Sequence, residues 1–126
     1  MSRSPVRRIA IIDDSDIALE FTASILEREG FTVISINSPI GASIILCQDI
    51  PDLVLVDRKM ASLSGERVVS GLRRMQRFRD VPIVLYSDDA EAELQAAVKA
   101  CGANGFIRKT DNARELVRGI MTWLPG

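Results

Sequence analysis

Five short apolar runs rich in β-branched residues alternate with longer amphipathic stretches, and this alternation leaves few folds open. The runs cover residues 8–12, 31–36, 53–56, 81–86 and 105–108. Three of them hold segments apolar at every position: Ile9-Ala10-Ile11-Ile12, Leu53-Val54-Leu55-Val56 and Ile83-Val84-Leu85. A strand with water on one face alternates apolar and polar residues. Unbroken apolar strands are expected where both faces are covered, in the centre of a parallel sheet. The run 105–108 is less apolar, as befits an edge strand. Pro82 stands near the start of its run, where a missing N–H is tolerated.

The intervening stretches carry helical spacing and recognisable ends. Ser15 is placed to cap a helix with Ala18, Phe21 and Ile25 on one face, closed by Gly30. Ser38-Pro39 reads as an N-cap followed by proline in the first helical position. Val68, Val69, Leu72 and Met75 form a third stripe. Leu94, Ala97, Val98 and Cys101 form a fourth, closed by Gly102. Ala113, Leu116, Val117 and Ile120 form the last. Five βα units predict an α/β fold, a parallel sheet with helices on both faces.

The 126 residues suit one domain, expected to span 1–126 with residues 1–6 as a loose N-terminal arm. The chain contains no histidine and two cysteines, Cys47 and Cys101, which read as small apolar residues on helices. A disulfide framework, a Cys/His zinc site and a Ser-His-Asp or Cys-His hydrolase are thereby excluded. A net charge of −1 supplies no strong field for direct nucleic-acid binding. Residues 1–8 contain three arginines without the apolar run of a signal peptide, and no apolar stretch is long enough to span a bilayer. A soluble, cytoplasmic protein is the expectation. Nothing resembling a DNA-binding segment follows the last helix, and residues 122–126 read as a domain end.

In such sheets ligands bind where the carboxyl ends of the strands meet a topological switch point. The first strand runs into Asp13-Asp14, the third into Asp57, the fourth into Ser87 and the fifth into Lys109. Singly, each has a bland explanation as a helix cap, a turn residue or a surface charge. Jointly, they place three carboxylates, a hydroxyl and an ammonium on one rim. Carboxylates so crowded need a proton or a cation, and Mg²⁺ suits an all-oxygen site shared with a phosphate. A carboxylate is also a nucleophile for phosphoryl transfer. Lys109 would add positive charge, and Ser87 a hydrogen bond to a phosphoryl oxygen.

Four segments carry a family resemblance over nearly the whole chain. They are Ile11-Ile12-Asp13-Asp14-Ser15, Leu53-Val54-Leu55-Val56-Asp57-Arg58-Lys59-Met60 with Gly65 following, Leu85-Tyr86-Ser87, and Gly102-Ala103-Asn104-Gly105-Phe106-Ile107-Arg108-Lys109. Together they resemble the receiver domain of two-component response regulators, in particular chemotaxis-regulator-like receivers. The resemblance implies a flavodoxin-like sheet of order 2-1-3-4-5 flanked by five helices. It implies Asp57 as phosphoacceptor, with Ser87 and Lys109 contacting the phosphoryl group. Asp14, Asp57 and the backbone carbonyl of Lys59 would bind Mg²⁺ directly, and Asp13 largely through water. The phosphodonor would be a histidine kinase or histidine phosphotransfer protein. Ser87 and Phe106 would form a phosphorylation-dependent switch for partner binding, with a phosphorylation-dependent dimer as a further outcome. No metabolic activity is expected beyond support of phosphorylation and dephosphorylation at Asp57.

Three positions depart from the family pattern. Ala61 follows Met60 where proline is usual, Asp88 follows Ser87 where a small residue is usual, and Thr110 follows Lys109 where proline is usual. Lys59, Asp88 and Asp89 are therefore candidate modulators. Asp88 and Asp89 read first as acids at the positive end of the fourth helix, and secondly as charge crowding the phosphoryl site. Without proline, the Lys109–Thr110 peptide is expected to be trans, with the lysine still reaching the acids. The alternative reading is a degenerate receiver, unphosphorylated and acting as a protein-interaction domain.

Overall fold

The computed structural model of the chain describes residues 6–125. Five strands, β1 (Arg8–Ile12), β2 (Thr32–Ile36), β3 (Leu53–Asp57), β4 (Ile83–Ser87) and β5 (Gly105–Arg108), alternate with five helices. The helices are α1 (Asp16–Arg28), α2 (Ala42–Gln48), α3 (Gly65–Arg73), α4 (Glu91–Cys101) and α5 (Ala113–Trp123). Every strand pairing is parallel, in the order β2-β1-β3-β4-β5. The expected α/β architecture and strand order are those found. Of the expected N-terminal arm, residues 1–5 lie outside the described residues, and Val6 is exposed. Among the described residues no helix is long and apolar enough to cross a membrane.

Successive residues of a strand face opposite sides of the sheet, so an all-apolar strand supplies two cores at once. Ile9, Ile11, Leu53, Leu55, Val84, Tyr86 and Ile107 pack on one face against Leu19 and Leu26 of α1 and Leu116 and Ile120 of α5. Ala10, Ile12, Val54, Val56, Ile83 and Leu85 pack on the other against Leu46 of α2, Val69 and Leu72 of α3, and Ala97 and Cys101 of α4. Burying each large aliphatic side chain contributes about 2 kcal/mol. Cys101 is buried, and Cys47 on α2 is half-buried against the same core; both are free thiols.

The helix ends follow local chemistry in most places. The Ser15 hydroxyl accepts from the Ala18 N–H, and Ser64 does the same for Arg67 at the start of α3. Asn112 caps α5 by accepting from Glu115. Gly102 closes α4 in the left-handed conformation, φ 89°, which a side chain would strain.

Several expectations need correction. Phe21 is 48% exposed; the buried stripe of α1 is Leu19, Thr22, Ala23, Ile25 and Leu26. Ser38-Pro39 does not begin α2. The Ser38 hydroxyl accepts from Ile40 in a preceding turn, and Gly41 is the cap residue of a helix only seven residues long. β2 begins at Thr32, one residue after the expected start. β4 begins at Ile83, so Val81 and Pro82 precede it, and the Pro82 carbonyl accepts from the Val54 N–H at 2.9 Å. α4 begins at Glu91, so Asp88 and Asp89 are not part of its first turn.

Candidate functional site

The parallel strands all deliver their last residues to the same edge, and β1 and β3 flank the point where the strand order reverses. Asp13 follows β1 and is buried; its N–H donates to the Ile36 carbonyl, and its Oδ1 accepts from the Ser15 N–H at 3.0 Å. That turn points Asp14 outward, where its Oδ2 accepts from the Ala61 N–H at 2.9 Å and ties the β1 end to the β3–α3 loop. Asp57, the final residue of β3, is buried. One carboxylate oxygen from each of Asp13, Asp14 and Asp57 lies within 4.8 Å of the others.

Lys109 follows β5 and reaches this cluster. Its N–H donates to the Ser87 carbonyl, and its Nζ stands 3.0 Å from Asp57 Oδ1 and 5.7 Å from the centre of the Tyr86 ring. The Lys109–Thr110 peptide is trans, as are all peptides among the described residues. A flexible four-carbon stem spans the gap without the proline usual in the family.

The electrostatics match the geometry. Burial pushes the Asp57 carboxyl above its ordinary value; the Lys109 hydrogen bond lowers it, and the charges of Asp13 and Asp14 raise it further. For Lys109, burial works against the ammonium, but the hydrogen bond and charge of Asp57, with the charge of Asp13, outweigh it and raise its pKa. One ammonium beside three carboxylates leaves the cluster short of positive charge. Three convergent carboxylate oxygens are a donor set suited to a hard divalent cation.

The remaining sequence candidates fall into two groups. Ser87, the last residue of β4, is buried beside the cluster, but its hydroxyl donates to Asp89 Oδ2 at 2.7 Å. The Lys59 ammonium also turns to Asp89, 2.8 Å from Oδ1, away from the acid cluster. Asp88 is exposed in a cleft with Asp13, Tyr86 and Lys109, and its charge adds to the field on Lys109. Phe106 is half-buried on β5, against the core that α3 and α4 cover. Beside it a cleft opens, lined by Gln95, Val98, Lys99 and Trp123.

Sequence reasoning passed over Arg58. Its Nη1 donates to Asp89 Oδ2 at 2.8 Å and stands 3.3 Å from Glu93 of α4, and its Nε donates to Glu66 of α3 at 3.1 Å. These partners lie 8 to 35 positions away, so no local pattern announces them.

Comparison with known proteins follows the same lines. The model of the family described as response regulator receiver domain matches residues 9–121. The CAI-1 autoinducer sensor kinase/phosphatase CqsS of Vibrio cholerae is 30% identical over 94% of this chain and 17% of its own length. The phosphate regulon transcriptional regulatory protein PhoB of Escherichia coli is 30% identical over 90% of this chain and 50% of its own. The chain thus spans half or less of these relatives. Among solved structures, the chemotaxis protein CheY4 of Vibrio cholerae superposes with a TM-score of 0.89 at 21% identity, covering 95% of this chain and all of that one.

Proposed function

Because the chain belongs to the family of response regulator receiver domains of two-component signalling, we propose that Asp57 is its phosphoacceptor. The donor is the phosphohistidine of a histidine kinase or phosphotransfer protein. One observation carries the reading: a buried carboxylate at the end of a central strand, paired with Lys109 at 3.0 Å and crowded by Asp13 and Asp14.

In the transfer an Asp57 oxygen attacks phosphorus and forms the acyl phosphate P–O bond. The P–N bond to the donor imidazole breaks, and the ring leaves as it takes up a proton. Lys109 remains beside the phosphoryl group and offsets the charge that develops there. The Ser87 hydroxyl, once turned from Asp89, donates to a phosphoryl oxygen. Asp14, Asp57 and the Lys59 carbonyl would hold Mg²⁺, with Asp13 behind them. When bound, Mg²⁺ supplies the positive charge that the acid cluster lacks. The output is a change in the surface presented to a protein partner, read through Ser87 and Phe106.

A second reading, a receiver of the same fold that is never phosphorylated, rests on the Ser87 hydroxyl being engaged by Asp89. Incubation with a panel of radiolabelled histidine kinases and phosphotransfer proteins separates the two. Label on the chain is expected from a cognate donor; no label from any donor would favour the second reading.

The metal site has its own test. With a millimolar dissociation constant, about 10 mM Mg²⁺ stabilises the folded state by about 1.4 kcal/mol, a rise of roughly 5 °C in melting temperature. Asp14→Ala removes an oxygen ligand and should abolish most of that rise. An unchanged melting temperature for the parent protein in Mg²⁺ would refute the site.

A further inference from the structure

We propose that Asp89 is a resident anion that holds the Ser87 hydroxyl away from Asp57, and so sets how readily the domain is phosphorylated. The inference rests on Asp57 being the phosphoacceptor and assigns a positioning role to a residue outside the acidic cluster.

A serine hydroxyl has a single proton to donate. Here it goes to Asp89 Oδ2 at 2.7 Å, while the Asp89 N–H donates back to Ser87 Oγ at 3.1 Å. The two bonds close a small ring that fixes the hydroxyl rotamer. A phosphoryl oxygen on Asp57 must therefore displace Asp89 before it can receive the same proton.

Asp89 cannot simply follow the hydroxyl. Arg58 Nη1 lies 2.8 Å from Oδ2 and Lys59 Nζ 2.8 Å from Oδ1, so cations hold both carboxylate oxygens. Arg58 is itself anchored to Glu66 of α3 and Glu93 of α4. The Asp89 side chain is only 9% exposed. Two cations on its two oxygens keep Asp89 an anion in place. When Ser87 turns away, Asp89 keeps both cations but loses the charge-assisted bond from the hydroxyl and the acceptor of its own N–H. The latch is a modest and reversible handicap.

Helix capping does not explain the arrangement, since α4 begins at Glu91 behind Ala90 and takes no side-chain cap. Asp89 also takes up the Lys59 ammonium.

The test is a double-mutant cycle on labelling by acetyl phosphate in Mg²⁺. Asp89→Ala is expected to label about tenfold faster than the parent, the equivalent of about 1.4 kcal/mol. Asp89→Asn, which keeps the shape and an acceptor oxygen, should fall between and controls for misfolding of the alanine variant. In a Ser87→Ala background, where no hydroxyl is left to release, Asp89→Ala should change the rate by less than about twofold. Equal rates for parent and Asp89→Ala would overturn the proposal. So would the same acceleration with Ser87 absent, which would make the effect a field on the donor. Label on Asp89→Ala but not on the parent would support a latch closed at rest. Label on none of the proteins would remove the phosphoacceptor reading, and the latch with it.

Discussion

Asp57→Asn is expected to take up no label from acetyl phosphate under conditions where the parent is labelled. Asparagine fills the same space at the end of β3 but offers a neutral amide in place of the attacking oxygen. Asp13 and Asp14 remain nearby, yet neither is the carboxylate paired with Lys109 at 3.0 Å. Persistent label on the variant would move the phosphoacceptor elsewhere.

The same substitution makes an opposite prediction for stability. Burial, with Asp13 and Asp14, raises the Asp57 pKa above the unfolded value despite Lys109. The folded chain then binds that proton more readily than the unfolded chain. Stability falls as pH climbs from the unfolded value through the folded one, and the penalty is fully present above it. In metal-free buffer at neutral pH, Asp57→Asn should therefore melt higher than the parent. The difference should shrink on acidification towards pH 4, measured by thermal unfolding in a chelator. A variant that melts lower at neutral pH would show that the Lys109 pair outweighs burial and repulsion.

The acidic site is legible in the sequence because a parallel sheet converts chain position into spatial position. Asp13, Asp14, Asp57, Ser87 and Lys109 each follow or end an apolar run, and parallel strands bring those ends together without further information. Helix faces were harder to read where apolar residues occupy more than one stripe. In α1, Ile17, Ala18, Leu19, Phe21, Ala23, Ile25 and Leu26 offer two overlapping faces, and periodicity cannot choose between them. Contact with β2 and β1 decides, burying Leu19 and Leu26 and leaving Phe21 half outside. In α2, seven residues make too short a helix for periodicity, and the turn at Ser38-Pro39 resembles a cap in sequence.

The Asp89 network illustrates a different limit. Two consecutive acids before a helical stretch satisfy the dipole rule, which made them read as the start of α4. The chain instead leaves β4 through a bend, and Asp89 turns inward to meet Arg58 and Lys59 from the β3–α3 loop. That meeting spans about thirty positions and is set by the pairing of β3 with β4. Local preference was overruled by long-range charge pairing, so no window of sequence contains the answer.

Gly65→Ala should be among the most damaging single substitutions in the protein. α3 starts against the end of β3, and the Gly65 N–H donates to the Arg58 carbonyl at 2.8 Å. A Cβ at this position would lie 2.5 Å from the Asp57 carbonyl oxygen and 2.8 Å from the Arg58 Cα. Both are backbone atoms of the segment carrying Asp57, so no side chain can swing aside to relieve the contact. Relief requires α3 to withdraw from the sheet, loosening the layer formed by Val68, Val69 and Leu72. Overpacking of this kind costs about 3 kcal/mol, roughly 10 °C or more in melting temperature for a domain of this size. The displaced strand end also moves Asp57 relative to Lys109, so labelling should fall in parallel with stability even below the melting transition. Gly71→Ala is the control: it lies on the same helix, and an added Cβ meets nothing within 4 Å. Replacing glycine within a helix there should leave stability unchanged or raise it by up to about 1 kcal/mol. Comparable losses for the two variants would show that α3 is sensitive to any added methyl, and that the close approach at Asp57 is not the cause.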